Sequence, residues 1–356
     1  MSSSCSCQAI LACTARQPYS MHLQLGNCMF GRQMEAQLVI NFLLCTQSHG
    51  FEELEVLPII GQRFVGKSTL VAHVCKDERV GAHFSEILFF HIQTFTHDEL
   101  ATFRDECELK HQYRVSESNL EARLLVVIEL IWDLINEEAW GRLYSASKRY
   151  APRGSKIIVT SRFDSILKFG TTRALTLKFL PREAYWYFFK TLAFGSMDPE
   201  MHPWLTHLAM EIAKTTLLRR AHLLSANIIA DLLKDNFDVK FWSELLAFFR
   251  RYSQKLVSQF GWHPFDSPNQ NRPVLFGRMS TPSEDIVLDH HRCQHTSEEE
   301  IPKIKFQDVL CGSVMPRGKF DVLAWRSRIP PYHIFVHTEK NGGKATTRNS
   351  LDLMKI

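Results

Sequence analysis

The chain has no run of about 18 consecutive apolar residues, so a membrane-spanning helix is not expected. It has no surplus of charge of one sign either. Its 42 basic residues stand against 38 acidic ones, the net charge is +4, and no long basic run occurs, which gives no reason to expect nucleic acid as a partner. The nine cysteines are odd in number and scattered. No C-x-x-C pair is followed by a second, which argues against a structural zinc site and for reduced thiols in the cytoplasm or nucleus. No repeat with a period of about 20 to 50 residues is visible, which excludes a solenoid or propeller. The opening residues are rich in Ser and Cys and lack the basic start and longer apolar core of a secretory signal. Residues 1–24 read as an unstructured segment.

What is present is an ordinary globular composition, 45% hydrophobic and 22% charged, on a chain of 356 residues that is long enough for two domains. Against that background Gly61-Gln-Arg-Phe-Val-Gly-Lys-Ser68 matches the phosphate-binding loop G-x-x-x-x-G-K-[ST] in full. The apolar run Val56 to Ile60 reads as a buried strand entering the loop. Leu70, Val71 and Val74 give the residues after it an apolar helical face. Strand, glycine loop and helix together form a phosphate site: successive backbone N–H groups curl around the anion and the positive end of the helix faces it. Gly61, Val65, Gly66, Lys67, Ser68 and Thr69 are the expected nucleotide-binding residues. Lys67 adds a charge toward the terminal phosphates and Ser68 a hydroxyl for Mg²⁺.

Further apolar runs at Ile87–Ile92, Leu124–Ile131 and Lys156–Thr160 read as strands. Helical patterns lie at Met34–Leu44, Asp98–Leu109 and Glu137–Ala146. Strands alternating with helices imply βαβ units around a parallel sheet, an α/β domain over residues 25–180. From Pro181 the pattern turns helical, through Leu205–Ala213, Leu217–Leu233 and Phe241–Phe249, giving a helical subdomain over 181–258. The aromatic run Tyr185 to Phe189 reads as a helix buried on several sides. Short β-type runs at Lys303–Phe306, Phe320–Trp325 and His333–His337 suggest a small β-rich region over 259–338, and residues 339–356 read as a tail. His290, His291, Cys293 and His295 are dense, but their spacing matches no common zinc site.

Taken in order, these landmarks resemble the nucleotide-binding switch domain (NB-ARC) of plant disease-resistance proteins over roughly residues 25 to 255. Phe30-Gly31-Arg32 looks like the family's entry motif, in which a Gly-Arg turn packs beside adenine. Gly154-Ser-Lys-Ile-Ile-Val-Thr-Ser-Arg162 closely resembles its G-S-K-I-I-x-T-[TS]-R segment. The resemblance implies ADP or ATP and Mg²⁺ as ligands, Gly31 and Arg32 at the nucleotide, Arg162 as a sensor of the terminal phosphate, and a role in the defence response. Other resistance or signalling proteins would be its partners.

The departures from the family pattern bear on mechanism. Aligning Trp132 with the family's tryptophan puts Glu129 on the first of its two acids, able to hold Mg²⁺, and Leu130 on the second, which positions the attacking water. Arg63 and Phe64 stand where the family tends to carry glycine, and bulky residues there restrict the loop backbone. Thr215 to Ser225 lacks the family's Gly-Leu-Pro-Leu turn, and Leu288-Asp-His-His291 only echoes its Met-His-Asp motif. Leucine-rich repeats are missing, so the chain looks like a cut-down relative. The leading expectation is an ADP/ATP-binding switch with weak or absent hydrolysis. The alternatives are a nucleotide-free scaffold or decoy for a related resistance protein, and a P-loop ATPase.

Overall fold

The computed structural model describes residues 29–45, 54–92, 123–130, 137–216, 223–260, 274–279, 285–293, 302–315, 319–326 and 334–341. The helix expected at Asp98–Leu109 lies outside them.

Five strands form one parallel sheet: β1 (Glu55–Gly61), β2 (Glu86–Ile92), β3 (Leu124–Leu130), β4 (Lys156–Ser161) and β5 (Leu175–Leu177). Their order is β2-β3-β4-β1-β5. Four of them coincide with the apolar runs, while the three-residue β5 is too short to carry a periodic signal. β1, β3 and β4 are apolar almost throughout because both faces of the sheet are covered. On one face α1 (Gln33–Leu44), α2 (Lys67–Cys75) and α3 (Glu78–His83) bury Val39, Leu43, Leu70, Val71 and Val80 against Leu57, Ile59, Leu125 and Ile158. On the other, α4 (Glu137–Tyr150) and a 3₁₀ turn (Asp164–Phe169) bring Trp140, Leu143 and Phe169 onto Val56, Ile60, Val126, Ile128 and Val159. Each such aliphatic or aromatic side chain contributes about 1.5–3 kcal/mol by leaving water.

The register aligns the carboxyl ends of the strands. Ile60 lies beside Ser161, Glu129 beside Thr160, and His91 beside Glu129. At the opposite end Lys156 is buried, which is unusual for a lysine. Its Nζ donates to the carbonyls of Phe42 (2.5 Å) and Cys45 (2.7 Å) and pairs with Glu55 Oε2 at 2.8 Å. These carbonyls belong to the end of α1, where backbone acceptors lack helical partners, so one ammonium fastens that helix to the sheet.

The helical region comprises α5 (Arg182–Phe194), α6 (Pro203–Thr216), α7 (Leu223–Asp235) and α8 (Val239–Phe260), with α5 packed on α7 and α6 on α8. Residues 217–222 of the expected Leu217–Leu233 helix are outside the described residues. Of the aromatic run, Tyr185 and Phe189 are fully buried in this core with Phe194 and Trp242, whereas Trp186 and Tyr187 lie at its edge. Trp242 Nε1 donates to the carbonyls of Leu233 (3.0 Å) and Asn236 (2.8 Å), closing the end of α7.

A second, antiparallel sheet follows, ordered β6 (Val274–Gly277), β7 (Asp285–Cys293), β9 (Ile334–Asn341), β8 (Lys319–Arg326). The strand expected at Lys303–Phe306 is corrected: only Lys305 forms a bridge, to Leu323, and Phe306 opens α9 (Phe306–Cys311). Phe306, Val309 and Leu310 repeat at helical spacing, and the Asp308 carboxylate accepts from the Lys305 N–H at 3.3 Å, so a helix start wins over extension. β9 runs to Asn341, into the stretch read as a tail. Leu310 and Met279 tie this part to the core of the helical region, joined by the Met279 N–H to Leu310 carbonyl bond of 2.9 Å.

Candidate functional site

The loop from β1 to α2 has two glycines for two different reasons. A Cβ on Gly61 would lie 2.7 Å from the carbonyl oxygen of Leu177 in β5, so only glycine lets the neighbouring strand pass. Gly66 has φ 96°, a left-handed conformation that glycine adopts without steric cost, and it turns the chain into α2. No side chain caps α2 and its first turn carries no acidic residue. The leading N–H groups of a nine-residue helix therefore face outward with the positive end of its dipole, an arrangement suited to an anion.

Phe64 is the one described non-glycine residue with positive φ, at 60°. The loop thus takes its left-handed step through a residue with a Cβ, which costs roughly 1–2 kcal/mol. The Arg63 guanidinium stacks on its ring at 4.8 Å, which offsets about 0.5–1 kcal/mol at such a half-buried position. The bulky residues at Arg63 and Phe64 are consequently compatible with the bend itself.

Three cations gather here. Lys67 Nζ folds back over the loop and donates to the carbonyls of Gly61 (2.6 Å) and Gln62 (3.0 Å). Burial draws its pKa down from 10.5 to about 8; Glu129 acts in the opposite sense, and Arg162 and Arg63 add to the depression. Burial and Arg162 together bring Arg63 from 12.5 to about 10. Arg162 follows β4 directly and stacks on Phe163 at 4.6 Å, so the strand beside β1 delivers it to the same end of the sheet as Gly61.

The Glu129 carboxylate lies opposite, at the end of β3. Its Oε1 accepts the Ser68 hydroxyl in a short hydrogen bond, and its Oε2 lies 3.1 Å from His91 Nδ1 on β2. A carboxylate and a hydroxyl beside a phosphate loop fit Mg²⁺, which takes one or two carboxylates, keeps several waters and uses substrate phosphates as its other ligands. Among the described residues no group of three or more His, Cys, Asp or Glu side chains could hold a metal by itself, so such an ion would need the phosphates. Leu130 is buried in the core at 4% exposure and carries no proton-accepting group. Trp132 lies outside the described residues, as does His295.

Gly31 sits in an exposed turn and directs Arg32 inward, where it is 3% exposed. The Arg32 Nη2 donates to the carbonyl of Lys178 and, at 3.4 Å, to that of Val65, while Nη1 pairs with Glu35 at 2.8 Å. Arg32 therefore ties the entry segment to the loop and to the residue after β5. From the helical side the Leu223 N–H donates to the Phe64 carbonyl at 3.3 Å. A Cβ on Gly66 would lie 3.3 Å from Leu223 Cδ1 and 3.7 Å from Met29 Cε, so these two side chains roof the loop. Thr69 is half-buried in the first turn of α2 and Val65 fully buried beneath it.

Gly61, Val65, Gly66, Lys67, Ser68, Thr69, Glu129 and Arg162 thus share one end of the sheet, and Gly31-Arg32 approaches it. Sequence reasoning did not single out His91 and did not give Arg63 a positive role. His91 could have been found by noting that it stands next to last in the strand before that of Glu129, as Glu129 does in its own, but only the strand order makes the two neighbours.

Residues 33–198 match the family model described as NB-ARC domain. Disease resistance protein RGA2 of Solanum bulbocastanum is 28% identical over 199 residues, covering 52% of this chain and 20% of that protein. Putative disease resistance protein RGA1 of the same species is 26% identical over 198 residues, covering 52% of this chain and 20% of that protein. The chain spans about a fifth of the length of these relatives. Among solved structures, that of PCH-2 from C. elegans is similar at a TM-score of 0.41 with 11% identity, over 67% of this chain and 73% of that one. No helix among the described residues is long and apolar enough to cross a membrane.

Proposed function

We propose that this chain, whose residues 33–198 match the NB-ARC domain of disease-resistance proteins, is an ADP/ATP-binding switch in which nucleotide controls the packing of the helical region on the P-loop domain. The observation that carries the reading is the convergence of Lys67, Arg63 and Arg162 around an uncapped helix start, with the Glu129 carboxylate opposite. Three cations in a half-buried space repel one another, and a polyphosphate relieves that repulsion. Lys67, Ser68, Thr69 and the loop N–H groups would hold the phosphates, and Arg162 would read the terminal one. Ser68 and Glu129 would hold Mg²⁺, which screens the phosphate charge when bound. The direct bond from Leu223 to the Phe64 carbonyl gives the loop a means of moving α7.

Hydrolysis on this reading is slow, because the position that usually orients the attacking water is Leu130. A second reading, a nucleotide-free scaffold or decoy for a related resistance protein, is favoured by the strained Phe64 and by the roof of Leu223 and Met29 over Gly66. Titration of the purified protein with fluorescent ADP and ATP separates the two. The switch reading expects saturable binding that Lys67→Ala abolishes while the circular dichroism spectrum is retained. Absence of binding in the unmodified protein, or equal affinity in the variant, would sink it.

A further inference from the structure

The Glu129 carboxylate is engaged at both oxygens, and the two partners come from different elements. Ser68 in the first turn of α2 donates to Oε1, and His91 at the end of β2 holds Oε2 at 3.1 Å. The parallel register sets His91 directly beside Glu129, so this contact follows from strand pairing and not from a flexible loop. A carboxylate only accepts, so a neutral imidazole donating from Nδ1 suffices for the contact. The glutamate side chain has one more methylene than the aspartate usual for a metal-binding acid, and with it one more freely rotating bond. The Glu129 side chain is 19% exposed and that of His91 33% exposed, so neither is locked by burial alone. With no second acid beside it among the described residues, a carboxylate that must serve a metal depends on being held in one rotamer.

We propose that His91 is a positioning residue for Glu129: its imidazole fixes Oε2 and thereby presents Oε1, beside the Ser68 hydroxyl, to the Mg²⁺ of a bound nucleotide. The inference rests on the nucleotide-binding reading above and adds a residue to its metal side. Partners that orient metal-ligating groups typically change metal affinity by about 10- to 100-fold when removed, which sets the expected scale. His91→Asn keeps an N–H donor close to where Nδ1 stands, His91→Gln carries it one bond further out, and His91→Ala removes it.

The test titrates Mg²⁺ into each variant with a fluorescent ADP analogue and reads the Mg²⁺ concentration that gives half of the change in affinity relative to EDTA. His91→Ala is expected to raise that concentration by at least ~10-fold, with His91→Asn close to the unmodified protein. Unchanged Mg²⁺ dependence in His91→Ala overturns the inference and leaves nucleotide binding standing. So does an Asn variant no better than Ala, which would make the ring mere packing. Should the alanine variant fail to fold, the contrast between Asn and Gln decides, and equal behaviour of those two overturns the inference. If the unmodified protein binds no ADP with or without Mg²⁺, the nucleotide reading itself fails and the inference goes with it.

Discussion

The Lys67 ammonium offers a perturbation whose size follows from its surroundings. Burial, helped by Arg162 and Arg63 and opposed by Glu129, brings its pKa to about 8 in the free protein. A phosphate anion against Nζ favours the charged form and raises that value again. The bound state then has the higher pKa, so binding takes up a proton at pH above about 8. Affinity is full below that pH and falls as pH rises toward the bound-state value. The slope approaches tenfold per pH unit, and a complete return to the ordinary lysine value sets a ceiling of roughly 300-fold, about 3 kcal/mol. ADP is itself fully ionised over this range, since the last phosphate proton leaves near pH 6. Fluorescence titration with ADP at pH 7, 8, 9 and 9.5 reads the slope directly, and calorimetry at pH 8.5 in two buffers of different protonation enthalpy counts the proton. Lys67→Arg, whose guanidinium holds its proton to higher pH than an ammonium does, should flatten the curve between pH 7 and 9. A flat profile in the unmodified protein between pH 7.5 and 9.5 would refute the account of Lys67 as a half-buried, cation-crowded phosphate ligand.

Two further outcomes follow from the same geometry. Phosphate release from ATP should run far below a typical enzyme rate of about 10 per second, and Leu130→Asp should raise it if Glu129 holds Mg²⁺; brisk turnover in the unmodified protein contradicts the role assigned to Leu130. Lys156→Ala leaves Glu55 and two α1 carbonyls without their donor and should cost about 3–5 kcal/mol in urea unfolding, whereas a loss below about 1 kcal/mol would show that α1 is held by apolar packing alone.

Much of this was legible in the residues because local signals and burial agreed. Gly61 to Ser68 identifies its own strand, loop and helix, since the glycines, the lysine and the flanking apolar runs each answer a backbone or charge requirement within a dozen positions. The segment Gly154 to Arg162 marks a strand with an arginine directly after it, whereas the reason for Lys156 lies in the end of α1 above it. Lys303–Phe306 is ambiguous in sequence because four residues fit a strand as readily as the first turn of a helix, and the capping contact of Asp308 decides between them.

Chain chemistry by itself determined the α/β class, the phosphate loop, the helical region after Pro181 and the absence of an acid at position 130. Each is a property of neighbours in sequence, where periodicity and residue type act over a few ångströms. Tertiary structure alone decided that β4 lies between β1 and β3, that β5 passes so close to Gly61 that only glycine fits, and that Leu223 reaches the loop. It also brought His91 to Glu129, 38 positions apart in the chain and adjacent in the sheet. Strand order depends on which faces can be buried together, a balance summed over the whole core, and no local stretch of residues encodes that sum.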